Sequence, residues 1–305
     1  MMATMLPGRK KDDENVRTHH HAHAYAAQEL AYQYAKKGAC LALVARRKQA
    51  LEGVAAAALE RGAPDVLVIP ADVSDAEQSR RAVEDTVAHF GKLNHLVANA
   101  GVWSSCFFDE VTNITGFNKM MDVNFWGSVY PTYYALPHLK ASRGKLVVTS
   151  STAATAPTSR LSLYNATKAA QLRFYETLRS ELGSEVGVTI LTAGFVESEM
   201  TKGKVIQKDG QVAIDLEARD PWTGIQRGAW YVTWPSLYRP VPLVACLAPE
   251  VLSCQSHALY SARDGGPPLS QRMLDATGAK RFYPPSSLRH RPGIKAEEGT
   301  RHKKD

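Results

Sequence analysis

Tyr164 and Lys168, in the run Tyr-Asn-Ala-Thr-Lys, stand four residues apart, and Ser151 precedes the tyrosine by thirteen residues. Residues four apart on a helix share a face, so the phenol and the ammonium can point into one cleft. An unperturbed phenol titrates near ~10 and is a poor base at neutral pH, whereas a nearby ammonium favours the phenolate and lowers that value. The pair therefore suits general acid/base work on an oxygen. Ser151 closes the apolar run 145–151, where a strand end would set its hydroxyl beside the phenol, able to hydrogen-bond an oxygen as charge develops on it. Tyr and Lys at this spacing also occur on many helices that do no chemistry, so the order of the surrounding residues carries the argument.

These groups need a sheet to position them. Short runs rich in Val, Ile and Leu at 40–45, 66–69, 93–98, 145–149 and 186–192 read as buried strands, and helical patterns at 25–37, 47–61, 75–90, 114–142 and 164–183 alternate with them. The alternation predicts an α/β fold, a doubly wound and mostly parallel sheet covered by helices on both faces. Ligands of such sheets bind beyond the carboxyl ends of the strands. Asp72, Asn99, Ser151 and Gly194 fall at or just after strand ends, so they are expected along one rim. Asp72, in Asp-Val-Ser-Asp, reads equally as a helix cap or turn.

Asn99-Ala100-Gly101 follows the run 93–98, Asn124 sits in Met-Asp-Val-Asn, and Ser151 and the Tyr164/Lys168 pair come after in that order. In this the chain resembles the short-chain dehydrogenase/reductase family, whose Rossmann-like members bind a nicotinamide nucleotide. The phrases at 35–47 (Ala-Lys-Lys-Gly-Ala-Cys-Leu-Ala-Leu-Val-Ala-Arg-Arg), 194–201 and 248–252 are similar to the plant 11-beta-hydroxysteroid dehydrogenase-like branch, which includes the steroleosins of lipid droplets. The resemblance covers 26–255. It implies that Tyr164 exchanges the proton of a substrate oxygen that Ser151 holds. Lys168 then lowers the pKa of the tyrosine and binds the nicotinamide ribose, and Asn124 holds a water leading protons to Lys168. Asp72 and Val73 would meet the adenine side, and Asn99, Ala100, Gly101, Gly194 and Val196 would line the rest of the nucleotide. Arg46 and Arg47 follow the strand 40–45, where the resemblance pairs basic residues with a 2′-phosphate. NADP(H) is favoured over NAD(H), since guanidinium forks suit phosphate oxygens, although two solvated arginines at a helix start are the alternative. The implied substrate is a bulky, apolar, sterol-like secondary alcohol or ketone.

The amino-terminal part departs from this pattern. The family opens with an apolar strand and a Gly-rich turn, yet no glycine occurs between Gly8 and Gly38, and 9–20 holds a single aliphatic residue. Glycines let the backbone approach a pyrophosphate and present amides at a helix N-terminus. The resemblance implies that the missing strand belongs mid-sheet, between the strands at 40–45 and 93–98. Without it two buried edges would lack partners, each unpaired group costing on the order of 1–3 kcal/mol. Either those edges pair differently or 1–25 is a faulty start, and the latter is the expectation. His19 and His23 stand four apart but have no third ligand nearby, so an exposed His-rich stretch and no metal site is expected. Ala193-Gly194 replaces the usual Pro-Gly turn, 201–226 shows no amphipathic helix, and 226–233 resumes as a last strand. The segment 240–259 is apolar enough for a helical lid, a dimer contact or a surface anchor, with core packing as the default.

Composition limits the alternatives. Residues 280–305 carry eight Lys/Arg against three acids, so +5 of the net +7 lies in a Pro-rich tail, expected to be disordered, and nucleic-acid binding is not expected. No apolar run reaches the ~20 residues of a membrane span and no secretory signal is visible. Cys40, Cys106, Cys246 and Cys254 show no metal-type spacing and read as buried thiols of a reducing compartment. The expected organisation is an irregular 1–25, a dehydrogenase domain at 26–260 and a basic tail at 261–305. The expected location is cytoplasmic, or peripheral on lipid droplets or endoplasmic reticulum. Two rivals stay open: a non-catalytic relative that binds no nucleotide, and a lipid-surface protein using 240–259 and the tail.

Overall fold

Runs that are apolar on both faces must be covered on both faces, and the chain does this with a layer of helices on each side of a parallel sheet. The computed structural model describes residues 17–19, 24–103, 108, 111, 114–194, 228–234, 238–260 and 269. In chain order these give β1 (Arg17–His19), α1 (Ala24–Ala35), β2 (Leu41–Ala45), α2 (Lys48–Glu60), β3 (Val66–Pro70), α3 (Ala76–Phe90) and β4 (His95–Ala98). After them come α4 (Asn118–Met121), a wide π turn (Asp122–Trp126), α5 (Gly127–Ser142), β5 (Lys145–Ser151), α6 (Ser162–Leu182), β6 (Gly187–Ala193) and β7 (Tyr231–Trp234). Two helices close the described chain, α7 (Val241–Leu247) and α8 (Pro249–Tyr260). The strands pair in the orders β1-β2-β3 and β4-β5-β6-β7, every ladder parallel. Strand β1 lies alongside β4 without a ladder to it, which brings the two sets into one layer. The core is the fully buried β2 and β4, the inner part of β5 and β6, and the facing sides of α1, α2, α3, α5 and α6.

Local signals set the element ends. Asp75 caps α3 by accepting from the Gln78 amide at 2.9 Å, and Gly91, at φ 78°, ends the same helix in the left-handed region. The start of α5 comes so close to the end of β3 that a Cβ on Gly127 would lie 2.9 Å from Val73 Cγ2.

Two expectations are corrected here. Part of 1–25 is regular: Arg17–His19 pairs in parallel with Leu41–Leu43, so the missing first strand is replaced by a short polar one. The pairing uses backbone N–H and C=O groups, which every residue but proline supplies, so it needs no apolar pattern. Residues 240–259 do not pack into the core. Leu243, Leu247 and Val251 are 61%, 75% and 57% exposed, and Cys246 and Cys254 are exposed beside them, while Cys40 is buried. The two helices pack chiefly on each other, which leaves their outer apolar stripe in solvent. Cys106, His23, the segment 201–226 and the tail beyond 269 lie outside the described residues. No helix among the described residues is long and apolar enough to cross a membrane.

Candidate active site

Strand β5 ends on Ser151, and α6 returns over the sheet with Tyr164 in its first turn and Lys168 one turn further. Both side chains are buried, and Ser151 lies close enough to the phenol to oppose its upward shift. Ser151 Oγ donates to the Ala193 carbonyl at 3.2 Å and accepts from the Ala153 amide at 3.2 Å, so its hydroxyl is held in place between β5 and β6. An apolar wall surrounds the phenol: Met120, Ala153 and Leu161 pack with it, with Val102, Trp103 and Phe117 behind. The Trp103 ring meets the Tyr164 ring edge to face, with centroids 6.4 Å apart.

Lys168 finds two neutral acceptors in its buried site. Its ammonium donates to the Thr149 carbonyl at 3.0 Å and to Gln171 Oε1 at 3.1 Å. Burial pushes the Tyr164 phenol up to about 12, opposed only by the Ser151 hydrogen bond, and burial pulls Lys168 down to about 7. The amine is anchored to β5 and to the next turn of its own helix, and desolvation dominates at both groups.

Asn124 sits in the wide turn between α4 and α5, fully buried. Its Oδ1 accepts from the Val102 amide at 2.7 Å, and its Nδ2 donates to the Val102 carbonyl at 2.9 Å and to Thr167 Oγ1 at 2.8 Å. The side chain thus ties the loop after β4 to α6. Its backbone carbonyl accepts from Gln171 Nε2 at 2.9 Å. Gln171 therefore bridges Asn124 and Lys168, the place where a relay water was expected. Sequence reasoning missed this residue. The available signal was its position three after Lys168 and seven after Tyr164, a polar residue on the helix face that carries both.

The rim also takes shape as the strand ends foretold. Asn99 follows β4 and its Oδ1 accepts from Thr149 Oγ1 at 2.7 Å, so Thr149 ties Asn99 through its hydroxyl and Lys168 through its carbonyl. Ala100 and Gly101 continue from it, buried. Asp72 forms a turn, accepting from the Ser74 amide at 3.0 Å and from Ser74 Oγ at 2.7 Å. Its other oxygen lies 3.8 Å from Arg46 Nη1 across the ends of β2 and β3, with Val73 buried next to it. Arg47 stands at the N-cap position of α2. Gly194 follows β6 directly under Tyr238, where a Cβ would overlap the ring. Val196 lies outside the described residues.

This architecture agrees with what known proteins show. The short chain dehydrogenase family model matches residues 26–209, and the chain belongs to that family. It is an oxidoreductase of the class that acts on CH–OH groups. Among curated relatives, "11-beta-hydroxysteroid dehydrogenase A" of Arachis hypogaea is 47% identical over 278 residues, covering 84% of this chain and 80% of that protein. "11-beta-hydroxysteroid dehydrogenase 1A" of Arabidopsis thaliana is 42% identical over 290 residues, 88% of this chain and 83% of that one. Among solved structures, an alcohol dehydrogenase from the archaeon Thermococcus sibiricus, complexed with 5-hydroxy-NADP, superposes with a TM-score of 0.57. It is 22% identical and covers 82% of this chain and 93% of that one, a likeness of fold.

Proposed function

We propose that the protein interconverts a bulky, apolar secondary alcohol and its ketone with NADP(H), Tyr164 exchanging the proton of the substrate oxygen. The observation that carries this reading is the buried contact of Tyr164 with a Ser151 fixed between two strand ends, facing an apolar wall of Met120, Leu161, Trp103 and Phe117. A sterol-like ring system suits such a wall, and the names of the curated relatives favour the same substrate class.

The described residues fit a nicotinamide nucleotide at both its ends. Among them the Lys168 ammonium has two partners, Thr149 and Gln171, which leaves one of its three donors for a ribose hydroxyl. At the other end Asp72 and Val73 line the rim and Arg46 reaches across it, half exposed and available to a 2′-phosphate. His20, His21, Ala22 and His23, which precede α1, lie outside the described residues. When bound, the nucleotide supplies or takes the hydride. The chain's own residues do the rest: Ser151 holds the oxygen, Tyr164 gives or takes its proton, and Asn124 and Thr149 fix the loops around them.

The exposed stripe of Leu243, Leu247 and Val251, with the basic tail that follows, favours a peripheral seat on a lipid droplet or reticulum surface facing the cytoplasm. Trp126 and Tyr133, exposed on one side of the wide turn and α5, favour a homodimer. Fluorescence titration with NADPH and NADH, followed by turnover of a sterol ketone, tests the function. NADPH binding with turnover that Tyr164→Phe abolishes is expected. A folded protein that binds neither nucleotide at millimolar concentration is instead a non-catalytic relative.

A further inference from the structure

Gln171 is fully buried, yet neither the family signature nor the acid/base chemistry assigns it a role. Both ends of its amide are used: Oε1 accepts from Lys168 Nζ at 3.1 Å, and Nε2 donates to the Asn124 carbonyl at 2.9 Å. The wide turn makes the second contact available, since a π turn shifts the hydrogen-bond register and lets a carbonyl look outward. We infer that Gln171, held to the wide turn by its bond to the Asn124 carbonyl, is a positioning residue that clamps the Lys168 ammonium.

The clamp is uncharged. β5 offers Lys168 the Thr149 carbonyl and α6 offers Gln171, which the Asn124 carbonyl of the wide turn holds in turn. No charged group among the described residues acts on the amine. Lys168 therefore keeps its proton in a buried site through two neutral acceptors, and the loss or ionisation of one must move its titration in opposite directions.

The inference rests on the oxidoreductase reading, and the test separates the two. Gln171→Leu removes an acceptor at similar volume, and Gln171→Glu adds a charge. Lys168 is titrated by the 13Cε shift of labelled lysine, assigned by its loss in Lys168→Met, a readout that needs no turnover. The leucine variant is expected to bind the Lys168 proton about tenfold more weakly and the glutamate variant at least tenfold more tightly. The alkaline limb of ketone reduction should follow, moving down in pH for leucine and up for glutamate, while a merely structural role would lower the rate at all pH values alike. Titrations that stay put, or that move the same way in both variants, overturn the clamp. If the wild type turns nothing over while the titrations split as stated, the clamp stands and the functional reading falls.

Discussion

Removing the Asn124 side chain should cost stability before it costs chemistry. In Asn124→Ala three side-chain hydrogen bonds disappear, to the Val102 amide, the Val102 carbonyl and Thr167 Oγ1, all at 2.9 Å or less. Val102 is half buried, so water can meet part of its need, and Thr167 keeps its own donation to the Tyr164 carbonyl at 2.8 Å. Counting one buried group left wholly unmet and one half met gives a loss of about 3 kcal/mol. For a chain of this size each kcal/mol lowers Tm by roughly 2–4 °C, so a drop of about 6–12 °C is expected in scanning calorimetry at a fixed rate. Asn124→Asp should be equally destabilised and increasingly so as pH rises, because the carboxylate faces the Val102 carbonyl and folds best when protonated. An alanine variant that melts within 2 °C (roughly 1 kcal/mol) of the wild type would refute the idea that this side chain ties the β4 loop to α6.

Two further substitutions probe the surroundings. Ser256, buried on the otherwise exposed α8, accepts from the Ser159 amide at 2.8 Å, next to Arg160 with its left-handed φ of 70° and close to the start of α6. Ser256→Ala should raise deuterium exchange across 155–163 and lower turnover several-fold, and unchanged exchange would dissociate α8 from the site. Gly194→Ala should force the Tyr238 ring aside, destabilise by about 1–3 kcal/mol in urea and recover in Gly194→Ala/Tyr238→Ala. A double variant as unstable as the single would place the clash elsewhere.

How much of this was legible in the sequence depends on what each element uses to hold itself. Strands β2, β4, β5 and β6 announce themselves because both faces are buried and both faces must be apolar. The rim residues followed from them, since parallel strands put all their carboxyl ends on one side. β1 was illegible for the opposite reason: it pairs through backbone alone, and Arg17–His19 has no pattern to read. The exposure of α7 and α8 was hidden because an apolar stripe looks the same whether protein or solvent faces it. The acceptors of Lys168 were hidden because spacing along a helix says which face a group is on, and says nothing of which acceptor it finds there.

The burial of the Tyr164/Lys168 pair has a consequence for the direction of the reaction. With Lys168 near 7 and Tyr164 near 12, the pair holds two protons at acid pH and one across the alkaline range. Ketone reduction takes a proton from the phenol. Starting from two protons it ends as phenolate beside ammonium, a neutral pair; starting from one it ends as a lone buried anion, which desolvation opposes strongly. Alcohol oxidation runs the other way and needs the pair to begin with a proton missing. As pH rises through about 7, reduction should therefore fall about tenfold per unit while oxidation rises and levels off, the two profiles sharing one midpoint. Sharing is the critical feature, because a cofactor or substrate group titrating by itself would move one direction only. Initial rates in both directions between pH 5 and 10, on the order of one point per half unit, decide it. Profiles that rise together, or midpoints that differ by more than about one unit, would show that the proton is governed by some group other than Lys168.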